Sequence, residues 1–113
     1  MATFGLLPDA EKELEALPLT EEVALRTVTA KLEALGSRLP FPHQSAVRGA
    51  SVRELRPRSG LSRWRAFYRR TGAEDFLVRS IGPEAIVNPR GFKRAVRLAE
   101  QRLTKHEEYG GST

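Results

Sequence analysis

The sequence predicts an α+β sandwich: an N-terminal helical hairpin packed on a three- to four-stranded antiparallel sheet, with a helix following the sheet. Three observations carry that prediction. Leu25, Val28, Leu32 and Leu35 recur at i, i+3, i+7 and i+10, the spacing of one helix face. Residues 63–70 alternate instead, Trp64, Ala66 and Tyr68 against Arg63, Arg65, Phe67 and Arg69, the period of a strand. Asn88 followed by Pro89 then marks a cap and first turn, before a stripe of Phe92, Val96, Ala99 and Leu103.

The elements follow in chain order. Phe4 to Leu6 is short and apolar, a candidate additional edge strand. Pro8 and Asp9 open a helix with Ala10, Leu14 and Leu17 on one face, a proline in the first turn and an acid near the positive helix end. Pro18 ends it. Thr20 is expected to cap the next helix, with Glu21 and Glu22 in its first turn and Gly36 as its stop. The short link makes the two an antiparallel pair, with Glu11, Glu15, Glu22 and Glu33 on its outer faces. Residues 37–51 read as a loop because Pro40, Pro42 and Gly49 punctuate them. Val52–Arg58, Arg63–Arg70 and Asp75–Ile81 then form a β-meander, joined by Ser59-Gly60-Leu61-Ser62 and Thr71-Gly72-Ala73-Glu74. With all helices on one face of the sheet, the other face is expected to stand open, carrying the arginines.

Length and composition bound the chain further. Its 113 residues suit one domain, expected over residues 1–108, with 109–113 as a frayed tail. With no cysteine, disulfides, thiolate metal sites and thiol nucleophiles are excluded. Met1 to Leu7 lacks a basic leader, and no apolar run approaches the roughly 20 residues of a membrane span. The cytoplasm is therefore the expected location, with no membrane partner. Charge is distributed unevenly. Residues 1–47 hold four basic and seven acidic side chains, whereas Arg48 to Arg70 contain eight arginines against Glu54 alone. Of 19 basic residues 15 are arginine, whose planar fork suits bidentate phosphate contact. A polyanion is the expected partner of such a segment. His43 and His106 are far apart and lack ligand spacing, so no metal or other cofactor is expected.

Val52-Arg53-Glu54-Leu55-Arg56, a glycine-containing turn, Trp64-Arg65-Ala66-Phe67-Tyr68, Phe76-Leu77-Val78-Arg79-Ser80-Ile81-Gly82 and a proline-initiated helix together resemble the RelE/HigB toxin superfamily of bacterial toxin–antitoxin systems, in its phage-derived, HigB-like branch. The resemblance spans roughly residues 8–104 and rests on short motifs. It implies a small microbial RNase fold that cleaves mRNA on the ribosome without a metal, by attack of the ribose 2′-hydroxyl on the adjacent phosphate. It also implies a cognate antitoxin, expected to be a helix-turn-helix protein that lays an acidic segment across the basic face. Carried over by position, Arg65 matches the arginine of the family's R-x-x-Y strand and is expected to stabilise transition-state charge, with Arg56 and Arg58 binding phosphate and assisting. Arg53, Arg63, Arg69 and Arg79 are expected to position RNA, with Phe67 stacking on a base, whereas Trp64 and Tyr68 are expected in the core. Two departures stand out: Phe92 occupies the place of a tyrosine found in some members, and Gly82-Pro83-Glu84-Ala85-Ile86-Val87 replaces a lysine-rich loop. His43 is the residue that could replace a missing base, as histidine does in certain relatives. The same scaffold in related ParE toxins acts on DNA gyrase, and a non-catalytic nucleic-acid-binding protein is a third reading.

Overall fold

The computed structural model describes residues 3–111, with side chains through Arg102. Eight main elements follow one another: β1 (Thr3–Leu6), α1 (Pro8–Glu15), α2 (Leu19–Leu35), β2 (Gln44–Ala46), β3 (Arg53–Leu55), β4 (Trp64–Arg70), β5 (Asp75–Pro83) and α3 (Pro89–Gly111). The sheet has five strands in the order β1-β5-β4-β3-β2. The meander pairs are antiparallel as expected. The candidate edge strand at Phe4 to Leu6 forms as β1, but in parallel with β5, and one unforeseen strand, β2, enlarges the sheet on the outer edge of β3 inside what reads as a loop. The meander strands are also shifted from their predicted limits, β3 being three residues long and β5 running on to Pro83.

The hairpin forms where the apolar spacing places it. Ala10 and Leu14 of α1 and Leu25, Val28 and Leu32 of α2 pack on Leu55, Ala66, Tyr68, Phe76, Val78 and Ile81, with Trp64 against the same cluster. Trp64 and Tyr68 therefore lie on the hairpin side, as the alternation requires. Two local expectations fail. Pro18, rather than Thr20, occupies the cap of α2 and makes no side-chain cap bond, its carbonyl taking the amides of Glu21 and Glu22. Leu35, the last residue of α2, is 40% exposed. Gly36 ends the helix with φ 57, a left-handed conformation that glycine adopts without the usual steric cost.

The largest difference concerns the second face. It is not open: α3 lies across β5 and β4, and Ala95 and Ala99 pack on Phe67 and Val52. Asn88 caps α3 as its sequence predicts, the Gly91 amide donating to its Oδ1 at 2.9 Å. Small residues at the crossing let helix and sheet approach closely. Ser80 Oγ donates to the Ala95 carbonyl at 2.7 Å, and any Cβ at Gly82 would collide with that of Ala95. At the far end Arg102 donates to both carboxylate oxygens of Glu13 in α1 (3.0 and 2.8 Å) and to the Arg79 carbonyl. Leu103 and His106 lie outside the described side chains. Among the described residues no helix is long and apolar enough to cross a membrane, and no group of three histidines and carboxylates could hold a metal ion.

Candidate functional site

Strand period places Arg65 and Phe67 on the α3 side of the sheet, and the helix that covers this side changes what they can do. Phe67 is fully buried, its ring stacked on Phe92 with centroids 5.4 Å apart. Arg65 is 2% exposed. Its Nη1 donates to the carbonyls of Ser62 (2.6 Å) and Trp64 (3.0 Å), and its Nη2 to that of Gly60 (3.1 Å). Burial holds the guanidinium below the ordinary arginine value, with the charge of Glu54 opposing that shift. Its target is an unusual turn. Arg58 and Ser59 both have positive φ, 54° and 55°, a conformation that non-glycine residues adopt at a steric cost. Arg65 clasps the end of that turn, and buried Pro57 anchors its start. Arg79 is also fully buried: the register of β4 against β5 slips at Phe67/Tyr68, so Arg79 falls in the bulge, under α3.

The remaining arginines do not converge either. Arg53 pairs across the sheet with Tyr68, and its fork closes on Gln44 Oε1 at 2.8 and 2.6 Å. Arg58 turns toward the hairpin, donating to Glu21 at 3.2 Å and to the Thr20 carbonyl at 3.4 Å. Arg63 is exposed and lines a 740 Å³ groove shared with Glu13, Glu21, Trp64 and Arg94. Arg69 is half-buried. The expectation of one open surface paved with guanidiniums from neighbouring strands is thus wrong. Sequence period says which residues share a face, but not that a later helix covers that face or that carboxylates from α2 and β3 take up some of the charge.

What the structure does bring together is smaller. Arg56 Nη1 donates to Glu54 Oε1 at 3.0 Å, its Nε donates to the Pro42 carbonyl at 3.1 Å, and Arg65 Nε lies 3.9 Å from Glu54 Oε2. Glu54 is held between two guanidiniums, while Arg56 retains 24% of its side-chain exposure. The Arg56 amide donates to the His43 carbonyl at 2.8 Å, extending the register in which Ser45 faces Glu54. His43 itself closes the turn before β2, its amide donating to the Pro40 carbonyl at 3.0 Å, so its backbone adjoins Arg56. Sequence reasoning missed Glu54 by treating it as the lone acid diluting a basic run. The signal available was its place two residues before Arg56 on one strand face.

Beside this cluster a 730 Å³ groove runs along α3, between it and Val47 and Arg48. Glu54 pairs across the strands with Phe67, which stacks on groove-lining Phe92. Phe92 and Val96 form an apolar floor, with Arg48, Lys93, Arg97 and Glu100 around it. Three cations against one acid make the groove basic, a property sequence inspection assigned to the strands instead.

The comparisons with known proteins agree with this architecture. A family model described as phage derived protein Gp49-like matches residues 12–81. No curated protein matches the chain. Among solved structures the RelBE2 toxin–antitoxin complex from Mycobacterium tuberculosis is similar, with a TM-score of 0.56 at 17% identity, over 74% of this chain and 98% of that one. A double arginine-to-alanine mutant of E. coli toxin RelE in the free state gives 0.59 at 21% identity, over 86% and 97%. The chain thus belongs to the family of phage-derived Gp49-like proteins, with a RelE-like fold.

Proposed function

We propose that this chain is the toxin of a toxin–antitoxin pair and a metal-independent endoribonuclease acting on mRNA at the ribosome. The observation that carries the reading is the Glu54–Arg56 pair backed by Arg65, with the His43 backbone hydrogen-bonded to Arg56. Cleavage of RNA by its own 2′-hydroxyl needs a base to take that proton, positive charge for the pentacoordinate phosphorane, and an acid to protonate the departing 5′-oxygen. Glu54 takes the 2′ proton, Arg56 faces the phosphorane oxygens, and His43 gives its proton to the 5′-oxygen as the P–O bond breaks. The products are a 2′,3′-cyclic phosphate and a free 5′-hydroxyl. Phe92 offers no transferable proton and is not needed in this scheme. Arg65 acts as a positioning residue, aligning Glu54 and bracing the 57–62 turn. Arg53, Arg58, Arg63 and Arg69 lie around the periphery and serve RNA or ribosome positioning at most, while Arg79 and Phe67 belong to the interior.

The antitoxin reading is supported by the basic groove along α3, where an acidic amphipathic segment would pair with Arg48, Lys93 and Arg97 and cover Phe92 and Val96. A protein-binding toxin of the gyrase-directed kind is favoured by a different feature: Leu19 and Val23 stand 73% and 54% exposed on the first turns of α2. Induction of the chain alone in a bacterial host, with mapping of transcript 5′ ends, separates the two. The nuclease reading expects new 5′-hydroxyl ends and growth arrest, both lost in Glu54→Gln and strongly reduced in His43→Gln. Arrest without new ends, abolished by Leu19→Ser with Val23→Ser, supports the protein-target reading instead.

A further inference from the structure

Three aromatic residues of the arginine-rich segment are spent on the interior. Phe67 is fully buried, Tyr68 is 3% exposed, and Trp64 packs on the hairpin core. A different ring is available. Phe41 is 69% exposed and is the only exposed aromatic side chain among the described residues. Single exposed apolar side chains are common on protein surfaces and by themselves mean little. This one is attached to the Glu54–Arg56 cluster. The Arg56 guanidinium carbon stands 5.4 Å from the ring centroid, over its face, and Arg56 is itself held by the Pro42 carbonyl and by Glu54.

We propose that Phe41 is the nucleobase platform of the site: the base next to the scissile phosphate stacks on its free face while Arg56 supports the other. The inference rests on the RNA-site reading above and adds a subsite to it. Chemistry favours a base over other flat ligands because the same guanidinium that backs the ring is the one placed to meet a phosphate. A single nucleotide thus supplies both an anion for Arg56 and a π-face for Phe41. Since every base has a π-face, stacking of this kind adds affinity with little sequence preference. It also requires an unpaired strand, because a base within a duplex cannot leave its neighbours to reach the ring.

The test uses the whole protein and two short single-stranded oligonucleotides of equal charge, both 2′-O-methylated so that neither can be cleaved, one bearing bases and one abasic at its central positions. Binding is read by fluorescence anisotropy. Wild type is expected to bind the base-bearing strand about tenfold tighter than the abasic one, the order of magnitude of one stacked base. Phe41→Ala should lose that preference with an unchanged melting temperature, since the ring is exposed. Phe41→Trp should keep it, with the new indole quenched on binding. Arg56→Ala should weaken both strands. Equal binding of the two strands by wild type, or a preference that survives in Phe41→Ala, overturns the platform and leaves the RNA site standing. Failure of wild type to bind either strand, both when free and when programmed into the A site of ribosomes, overturns both.

Discussion

The two faces of the sheet use the same strands for opposite purposes. On the hairpin side Leu55, Ala66, Val78 and Ile81 meet apolar residues of α1 and α2, and the contact is mostly hydrocarbon. On the α3 side the strands contribute Phe67 together with Arg65, Arg79 and Ser80, all nearly or fully buried. The first face is held by non-directional burial, which tolerates exchange of one aliphatic residue for another of similar volume. The second depends on directed hydrogen bonds, such as those from Arg65 to three carbonyls, and a lost partner there leaves a buried polar group unsatisfied. Stability is generic on one side and specific on the other, and the Glu54–Arg56 pair lies at the rim of the specific side.

The contrast can be broken most forcefully at Phe67. Its replacement by alanine should cost about 3–5 kcal/mol in urea denaturation, and a loss below about 1 kcal/mol would show that α3 does not seal that face. Arg65→Lys keeps the charge but cannot reproduce a three-carbonyl fork. It should cost about 1–3 kcal/mol and open the 57–62 turn to proteolysis, and a neutral result would mean that the turn holds itself. Gly82→Ala sharpens the comparison by touching only the helix crossing, because the added methyl collides with Ala95. The expected cost is about 1–3 kcal/mol, visible as faster amide exchange in α3 with α1 and α2 unchanged. The smallest effect belongs to the hairpin face and needs alkali. Burial raises the Tyr68 hydroxyl above its usual value, with nearby Arg53 opposing. The folded state therefore retains this proton where the unfolded chain has lost it, so the contribution is complete below about pH 10 and fades as pH climbs through the folded-state value. A stability profile in alkali should fall above pH 10 for wild type and flatten in Tyr68→Phe.

Much of the hairpin face was readable because periodicity alone specifies it: Leu25, Val28 and Leu32 at helical spacing, and Trp64, Ala66 and Tyr68 at strand spacing. The α3 face was not. An arginine at period two looks the same whether water or a carbonyl receives its protons, and the carbonyls that hold Arg65 belong to an aperiodic turn with two left-handed residues. The bulge that swallows Arg79 leaves no mark in the alternation of β5. Edge strands were legible only in part. Phe4 to Leu6 has strand character, but nothing local states that it lies parallel to β5. Gln44 to Ala46 becomes a strand by docking on β3, a tertiary effect that overrides the surrounding prolines. Around the candidate site, sequence expected Arg56 and Arg65 on an open basic surface, and the structure instead sets Glu54 between them, a carboxylate that a reading weighted toward positive charge overlooks.

Arg102 and Glu13 are 89 residues apart in sequence. A contact that distant closes most of the polypeptide into a ring, and the entropy of doing so is recovered only once the intervening strands are assembled. The pair is therefore a late event in folding, and replacing either partner should speed unfolding while leaving the folding rate nearly untouched.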